Sequence, residues 1–197
     1  MGEPNPIREE RRTRTRETTR AAILESARRV AARDGARNLS LRGVAAEAGY
    51  APAALYGYFT NKDELLLALA ADDLSALSRS MRDAVASSNG GKLAAALSAA
   101  LALLRDNETM AAAQGALPSI SGGSDAERLF NGRMIAALKI LSDATGQPAG
   151  PRDNQCDVVL VAAALTGLAM LARSGRLSAL GFTPEEILAR LDSRFTA

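Results

Sequence analysis

Residues Ser40 to Leu65 read SLRGVAAEAGYAPAALYGYFTNKDEL, and this stretch decides the fold. Behind Ser40, a residue type that caps helix starts, Leu41, Val44, Ala45 and Ala48 recur at helical spacing. Gly49 stops that helix after about two turns. Pro52 then sits at a first-turn position and opens a short helix expected to run to Tyr58. Two short helices joined by a tight turn are the helix-turn-helix pattern. The first is too short to be stable alone, so it must pack on a preceding helix. That helix is expected from about Thr18 to Arg33, with Ile23, Ala27, Val30 and Ala31 on one face and Gly35 at its end. Asn61, with Glu64 three residues on, caps a long fourth helix, Lys62 to Ser87.

The second short helix leads with Ala51, Ala53 and Ala54. Small side chains let a helix backbone approach a groove floor, and an alanine methyl can meet a thymine methyl. Tyr56, Tyr58 and Lys62 add hydroxyl and ammonium donors suited to phosphate oxygens, which position a protein without reading sequence. The net charge of +2 hides an asymmetry: residues 1–60 hold 11 Arg and 7 acids, whereas the remainder holds 13 Lys and Arg and 15 acids. A chain with one nucleic-acid- or membrane-facing end has this balance, and so does one with a solvated Arg-rich tail. Residues 1–17, with Pro4, Pro6 and alternating Arg and Thr, read as a flexible basic arm.

Composition excludes most chemistry. No His among 197 residues removes a Ser-His-Asp triad, a Cys-His pair and His-ligated metals. Cys156 is alone, so no intrachain disulfide or paired-cysteine zinc site can form. The acid pairs Asp72-Asp73 and Glu185-Glu186 are adjacent and point apart on a helix. An enzyme is not expected, nor a metal or a cofactor. At 4% aromatic residues, base-stacking single-strand binding is weakly supported. Residues 1–20 carry no apolar signal region, and the apolar run Val158–Ala172 is shorter than the roughly 20 residues a bilayer needs. That run reads as a buried helix of a soluble protein, with no membrane association and a cytoplasmic location expected.

The rest of the chain continues in helices. Leu93, Leu97, Leu101 and Leu104 mark one, Thr109–Ala116 a short one, and Ser124 with Glu127 caps another that carries Phe130, Met134, Leu138 and Leu141. A helix over about Asp153–Ser174 follows, then a last one from Pro184 to Phe195 behind Thr183. No alternating strand pattern appears, so the fold class is all-α with about nine helices.

The ordered set Ser40, Arg42, Ala48-Gly49, Leu55-Tyr56-Gly57-Tyr58-Phe59 and Lys62 resembles the DNA-binding domain of the TetR family of transcriptional regulators. The resemblance covers about residues 18–66. It implies that Ser40 caps its helix and touches a phosphate, and that Arg42 reaches a phosphate or a base edge. It further implies that Ala51, Pro52, Ala53 and Ala54 face the major groove while Tyr56, Tyr58 and Lys62 grip the backbone. Tyr50 stands where the family usually has an aliphatic residue, and Ala51 where it often has a capping Ser, so the second helix lacks a side-chain cap.

The domains implied are the arm 1–17, a helix-turn-helix domain 18–61 and a regulatory domain 62–197 for ligand binding and dimerisation. Candidate pocket residues are Met81, Leu97, Leu101, Met110, Gln114 and Phe130; candidate dimer-interface residues are Met134, Leu138, Leu141, Val161, Leu165 and Leu168. The function implied is a homodimeric repressor on a palindromic double-stranded DNA operator, released by an unidentified small-molecule effector. A ligand-independent dimeric regulator and an all-α structural dimer are the alternatives. Where the family allows His or Tyr, residue 58 is Tyr, and the chain lacks the side chain that ordinarily titrates near neutrality. DNA affinity at fixed salt is therefore expected to be nearly constant between about pH 6 and 8, and a steep slope in a binding titration over that window would contradict this reading.

Overall fold

The computed structural model describes residues 6–105, 107, 109, 124–146 and 152–196. These form nine α-helices and no strand. They are α1 (Pro6–Asp34), α2 (Leu41–Ala48), α3 (Pro52–Leu55), α4 (Lys62–Ser87), α5 (Lys92–Arg105), α6 (Asp125–Thr145), α7 (Arg152–Arg173), α8 (Arg176–Ala179) and α9 (Pro184–Phe195), with a 3-10 turn at Ala36–Asn38 before α2. The expected helix Thr109–Ala116 lies outside the described residues except at Thr109.

Three elements differ from expectation. The basic arm is helical from Pro6 onward, so α1 starts twelve residues before Thr18. The second short helix stops at Leu55, and Gly57, Tyr58 and Phe59 continue it only as turns, their N–H groups donating to Ala54 and Leu55 carbonyls at 2.9–3.2 Å. The short α8 follows Gly175, where no helix is expected.

The chain divides into two compact units, with boundaries inside α4 at Ala70 and inside α6 at Glu127. In the first unit, α1 packs on α2 and on the 3-10 turn, and α2 on α3. Its core is Ile23, Leu24, Ala27, Val30, Val44, Ala45, Leu55 and Phe59, all at most 3% exposed. Every residue from Leu65 to Ala71 is buried. Gly49 takes φ 73°, the left-handed conformation that ends α2 and turns the chain into α3.

In the second unit, α5, α7 and α9 pack on one another. Val158, Val161, Leu165, Leu168 and Ala169 face inward from α7, and Leu93, Leu97 and Leu101 from α5. Arg173 donates to the Asn107 carbonyl at 3.3 Å. Thr183 and Glu186 form the expected reciprocal cap of α9. The helix α7 is long and apolar enough, by length and composition, to cross a membrane, and only 28% of its apolar window is buried. Of this helix, expected to be buried, one face is core within the chain and the other exposes Val159, Leu160 and Met170.

Phe59 is 1% exposed and closes the core beneath α3. Phe59→Ala should cost about 3–5 kcal/mol of unfolding free energy, read by chemical denaturation; a loss below about 1 kcal/mol would show that the site is not closely packed.

Candidate nucleic-acid interface

The surface expected to meet DNA is built on elements too short to stand alone. Ser40 caps α2, its hydroxyl accepting from the Gly43 N–H at 3.1 Å. Gly43 fits here because a Cβ would lie 3.2 Å from that hydroxyl. Arg42 projects from the same turn and is exposed. Ala51 holds the N-cap position of α3 without a side-chain bond, and Pro52 supplies the preset first-turn φ. Ala51, Pro52, Ala53 and Ala54 are all exposed, whereas Leu55 is fully buried, so α3 presents its leading small residues outward. Tyr56 is 62% exposed, with its ring directed away from the core.

The structure adds partners for two of the expected phosphate-gripping residues. The Lys62 ammonium donates to the Arg37 carbonyl in the 3-10 turn, fastening the start of α4 to the entry of α2. Lysine has three N–H donors, so this bond engages one of them. Tyr58 is half-buried, and the Arg16 guanidinium lies over its ring, 5.3 Å from the centroid. Arg16 also donates to the Gly57 carbonyl at 2.9 Å. One turn further, Arg20 stacks over the Phe59 ring at 5.2 Å. Residue patterning did not single out Arg16 and Arg20, because their partners lie about forty residues away.

At the far end of α1, Arg29 and Arg33 both bind Glu47 of α2, at 2.9 and 3.0 Å. Arg29 also donates to Ser26 at 3.0 Å. The hydrogen bonds from Arg29, then Arg33, hold the Glu47 carboxyl below its usual range. After α3, Asn61 caps α4 by accepting from the Glu64 N–H at 2.8 Å. The Glu64 carboxylate returns one residue further than expected, to the Thr60 N–H and hydroxyl.

The remaining candidates lie in the second unit. Met81, Leu97, Leu101 and Phe130 are buried. Met110 and Gln114 lie outside the described residues. Ser78, one turn before Met81, is 5% exposed, and its hydroxyl has no hydrogen-bond partner among the described residues. Of the expected interface residues, Leu141, Val161, Leu165 and Leu168 are buried within the chain, while Met134 and Leu138 are half-buried. In α7 the inward face takes Val161, Leu165 and Leu168, leaving Val159, Leu160, Ala163, Ala164 and Met170 outward; on α6, Ile135 is 67% exposed.

A capped short helix, a glycine turn and a second helix with small exposed leading residues, backed by a longer helix, form the helix-turn-helix domain of a DNA-binding protein. Residues 23–69 match the model of the family described as bacterial regulatory proteins, tetR family. Over 62 residues the chain is 47% identical to the HTH-type nicotine-responsive transcriptional repressor HdnoR of Paenarthrobacter nicotinovorans; that stretch spans 32% of this chain and 32% of that protein. A TetR transcriptional regulator from Rhodococcus sp. RHA1 superposes with TM-score 0.69 at 20% identity, over 91% of this chain and 96% of that one. The regulator FadR of Bacillus subtilis, solved in complex with stearoyl-CoA, superposes with TM-score 0.62 at 17% identity, over 90% and 97%. At these identities the two structures share the fold. Residues 23–69 thus match the DNA-binding segment of the tetR family of bacterial regulatory proteins, and the likeness to HdnoR spans about a third of each chain.

A folded pKa lowered at Glu47 means stability that is present above the usual value of 4.5 and lost as pH falls through the folded one. Glu186, held down by the Thr183 N–H, titrates in the same direction, so the useful comparison is with Glu47→Gln, which keeps Glu186. Wild type should be more stable than E47Q at neutral pH, and its lead should shrink once the pH drops below 4.5. Thermal melts of both proteins across that range check this; a lead that is flat with pH contradicts it.

Proposed function

We propose that the chain is a homodimeric repressor that binds a palindromic operator through α2 and α3 and is released by a small-molecule effector held in the second unit. The observation that carries the DNA-binding half is the exposed row Arg42, Ala51, Pro52, Ala53, Ala54 and Tyr56 on a buried footing of Leu55 and Phe59. Arg42 and the Tyr56 hydroxyl supply donors for DNA, and the alanine methyls allow close approach to the major groove. Few donors face the bases, so discrimination leans on Arg42 and on the shape of the operator. Such a protein works in the cytoplasm, where the chromosome lies.

Dimerisation is supported by the outward face of α7. Val159, Leu160 and Met170 are more than half exposed, and Ala163 and Ala164 between them let a second helix approach closely. Ile135 on α6 is a further exposed apolar residue. Two α3 helices related by a twofold axis would read a palindrome, which one four-residue helix cannot specify.

Effector binding is supported by the apolar set Met81, Leu97, Leu101 and Phe130 and by the Ser78 hydroxyl, which has no partner among the described residues and which a ligand's polar group would satisfy. An apolar effector with at least one hydrogen-bonding group fits that lining. It would act through its differential affinity for the DNA-bound and free conformations. Among the relatives, HdnoR is a nicotine-responsive repressor, and the FadR structure of the same fold is in complex with stearoyl-CoA.

A gel shift against the DNA upstream of the chain's own coding sequence tests the central reading. Wild type should retard that DNA, and Tyr56→Ala with Lys62→Ala should weaken it at least tenfold; no retardation at low salt would sink the proposal. For the dimer, sedimentation should find two chains for wild type and one for Leu160→Glu with Met170→Glu. A monomeric wild type would remove the basis for palindromic recognition.

A further inference from the structure

Arg8, Arg12, Arg16 and Arg20 recur at four-residue spacing in α1, which sets four guanidinium groups on one side of the helix, about 6 Å apart along its axis. The inner two are committed to the fold: Arg16 to the Gly57 carbonyl and the Tyr58 ring, Arg20 to the Phe59 ring. The outer two are exposed and have no carboxylate or carbonyl partner among the described residues. Arg12 lines, together with Arg11, Arg16, Glu9 and Tyr58, an open groove of about 620 Å³. That groove runs from the end of the recognition turn onto the amino-terminal turns of α1. Seven of the residues from Arg8 to Arg16 are Arg or Glu, and five of these are Arg, so the stretch is basic without a matching set of acids.

This part of α1 contributes nothing to the core. Its first buried residues are Ile23 and Leu24, well beyond Arg12. A helix that continues for about four turns past its last core contact, with Arg8 and Arg12 lacking a partner among the described residues and Arg12 sharing a groove with Tyr58, fits an external polyanion better than an internal partner. The eight residues from Arg16 back to Arg8 span about 12 Å along the axis, enough to reach phosphates next to any that Tyr58 holds.

We propose that the amino-terminal turns of α1 are a second DNA contact: Arg8 and Arg12 hold phosphates flanking the half site read by α3, and Arg16 is the positioning residue that ties this helix to Tyr58. The inference rests on the DNA-binding reading above. Flanking duplex therefore adds affinity without adding sequence preference, because these groups meet phosphates and not bases.

The test uses the full chain and a duplex that wild type itself selects from a randomised pool, in a form of about 40 base pairs and in a form trimmed to the selected half sites. On the long duplex, Arg8→Ala with Arg12→Ala should lower the slope of log affinity against log salt by about 3.6, the value for the four phosphates held by the two chains of the dimer. Its deficit against wild type should accordingly shrink about 150-fold between about 50 and 200 mM salt. On the trimmed duplex the two proteins should coincide. Arg16→Ala should lose the same flank-dependent affinity although Arg8 and Arg12 remain, and should lose no more of it in the double-variant background. Equal salt slopes on the long duplex, with unchanged helix content by circular dichroism, would overturn the proposal while leaving the DNA-binding reading intact. If wild type selects no duplex, both fall together.

Discussion

The recognition surface depends on the burial of α2 and α3 against α1. Neither short helix has the length to persist in water, where isolated helices below about 12–15 residues are marginal. They persist because Val44, Ala45, Leu55 and Phe59 lose all or nearly all their exposure, as do Ile23, Leu24 and Ala27 of α1. Removing that much apolar surface from water is the dominant favourable contribution. The polar ties along α1 do a different job. Arg29 and Arg33 on Glu47, and Arg16 on Gly57, lie at the surface and add little to stability, but they fix how the short helices are turned on their apolar footing.

Where local signals were strong, the sequence was legible to the residue. The α4 bounds, Lys62–Ser87, follow from Asn61 at one end and the Ser-Ser-Asn-Gly-Gly run at the other; α9 follows from Thr183, Pro184 and Glu186. The start of α1 was not legible, because residues 6–17 carry no apolar period and a helix without a core face leaves no such pattern. Its hydroxyls at Thr13, Thr15 and Thr18 instead turn back onto carbonyls four residues earlier. The face of α7 was ambiguous for the opposite reason. Valine, leucine and alanine surround most of it, so spacing supports two apolar faces, and only the placement of α5 and α9 selects Val161, Leu165 and Leu168 as core.

The site divides along the same line. Exposure of Arg42, Ala51, Pro52, Ala53, Ala54 and Tyr56 follows from which residues of α2 and α3 are needed for the core, and that is a matter of local period. What Lys62 and Tyr58 touch could not be read locally. Their partners, the Arg37 carbonyl and Arg16, lie 25 and more than 40 positions away, and residue type alone says only that one donates and the other offers a ring. Ser78 shows the reverse case. An unremarkable serine in a helical run becomes informative only once its burial and the lack of a described partner are known.

The bond from Lys62 to Arg37 also has a mechanical character. A lysine stem is a flexible four-carbon chain, unlike the rigid fork of an arginine. It joins the first turn of α4 to the turn that feeds α2 as a tether with slack. Small excursions of α4 can be absorbed by rotation about the stem and leave the entry of α2 where it is. Once the stem is drawn out, any further movement pulls that turn along or breaks the bond. The connection is therefore a single hydrogen bond on a flexible stem, a softer link between α4 and the entry of α2 than a guanidinium fork would make.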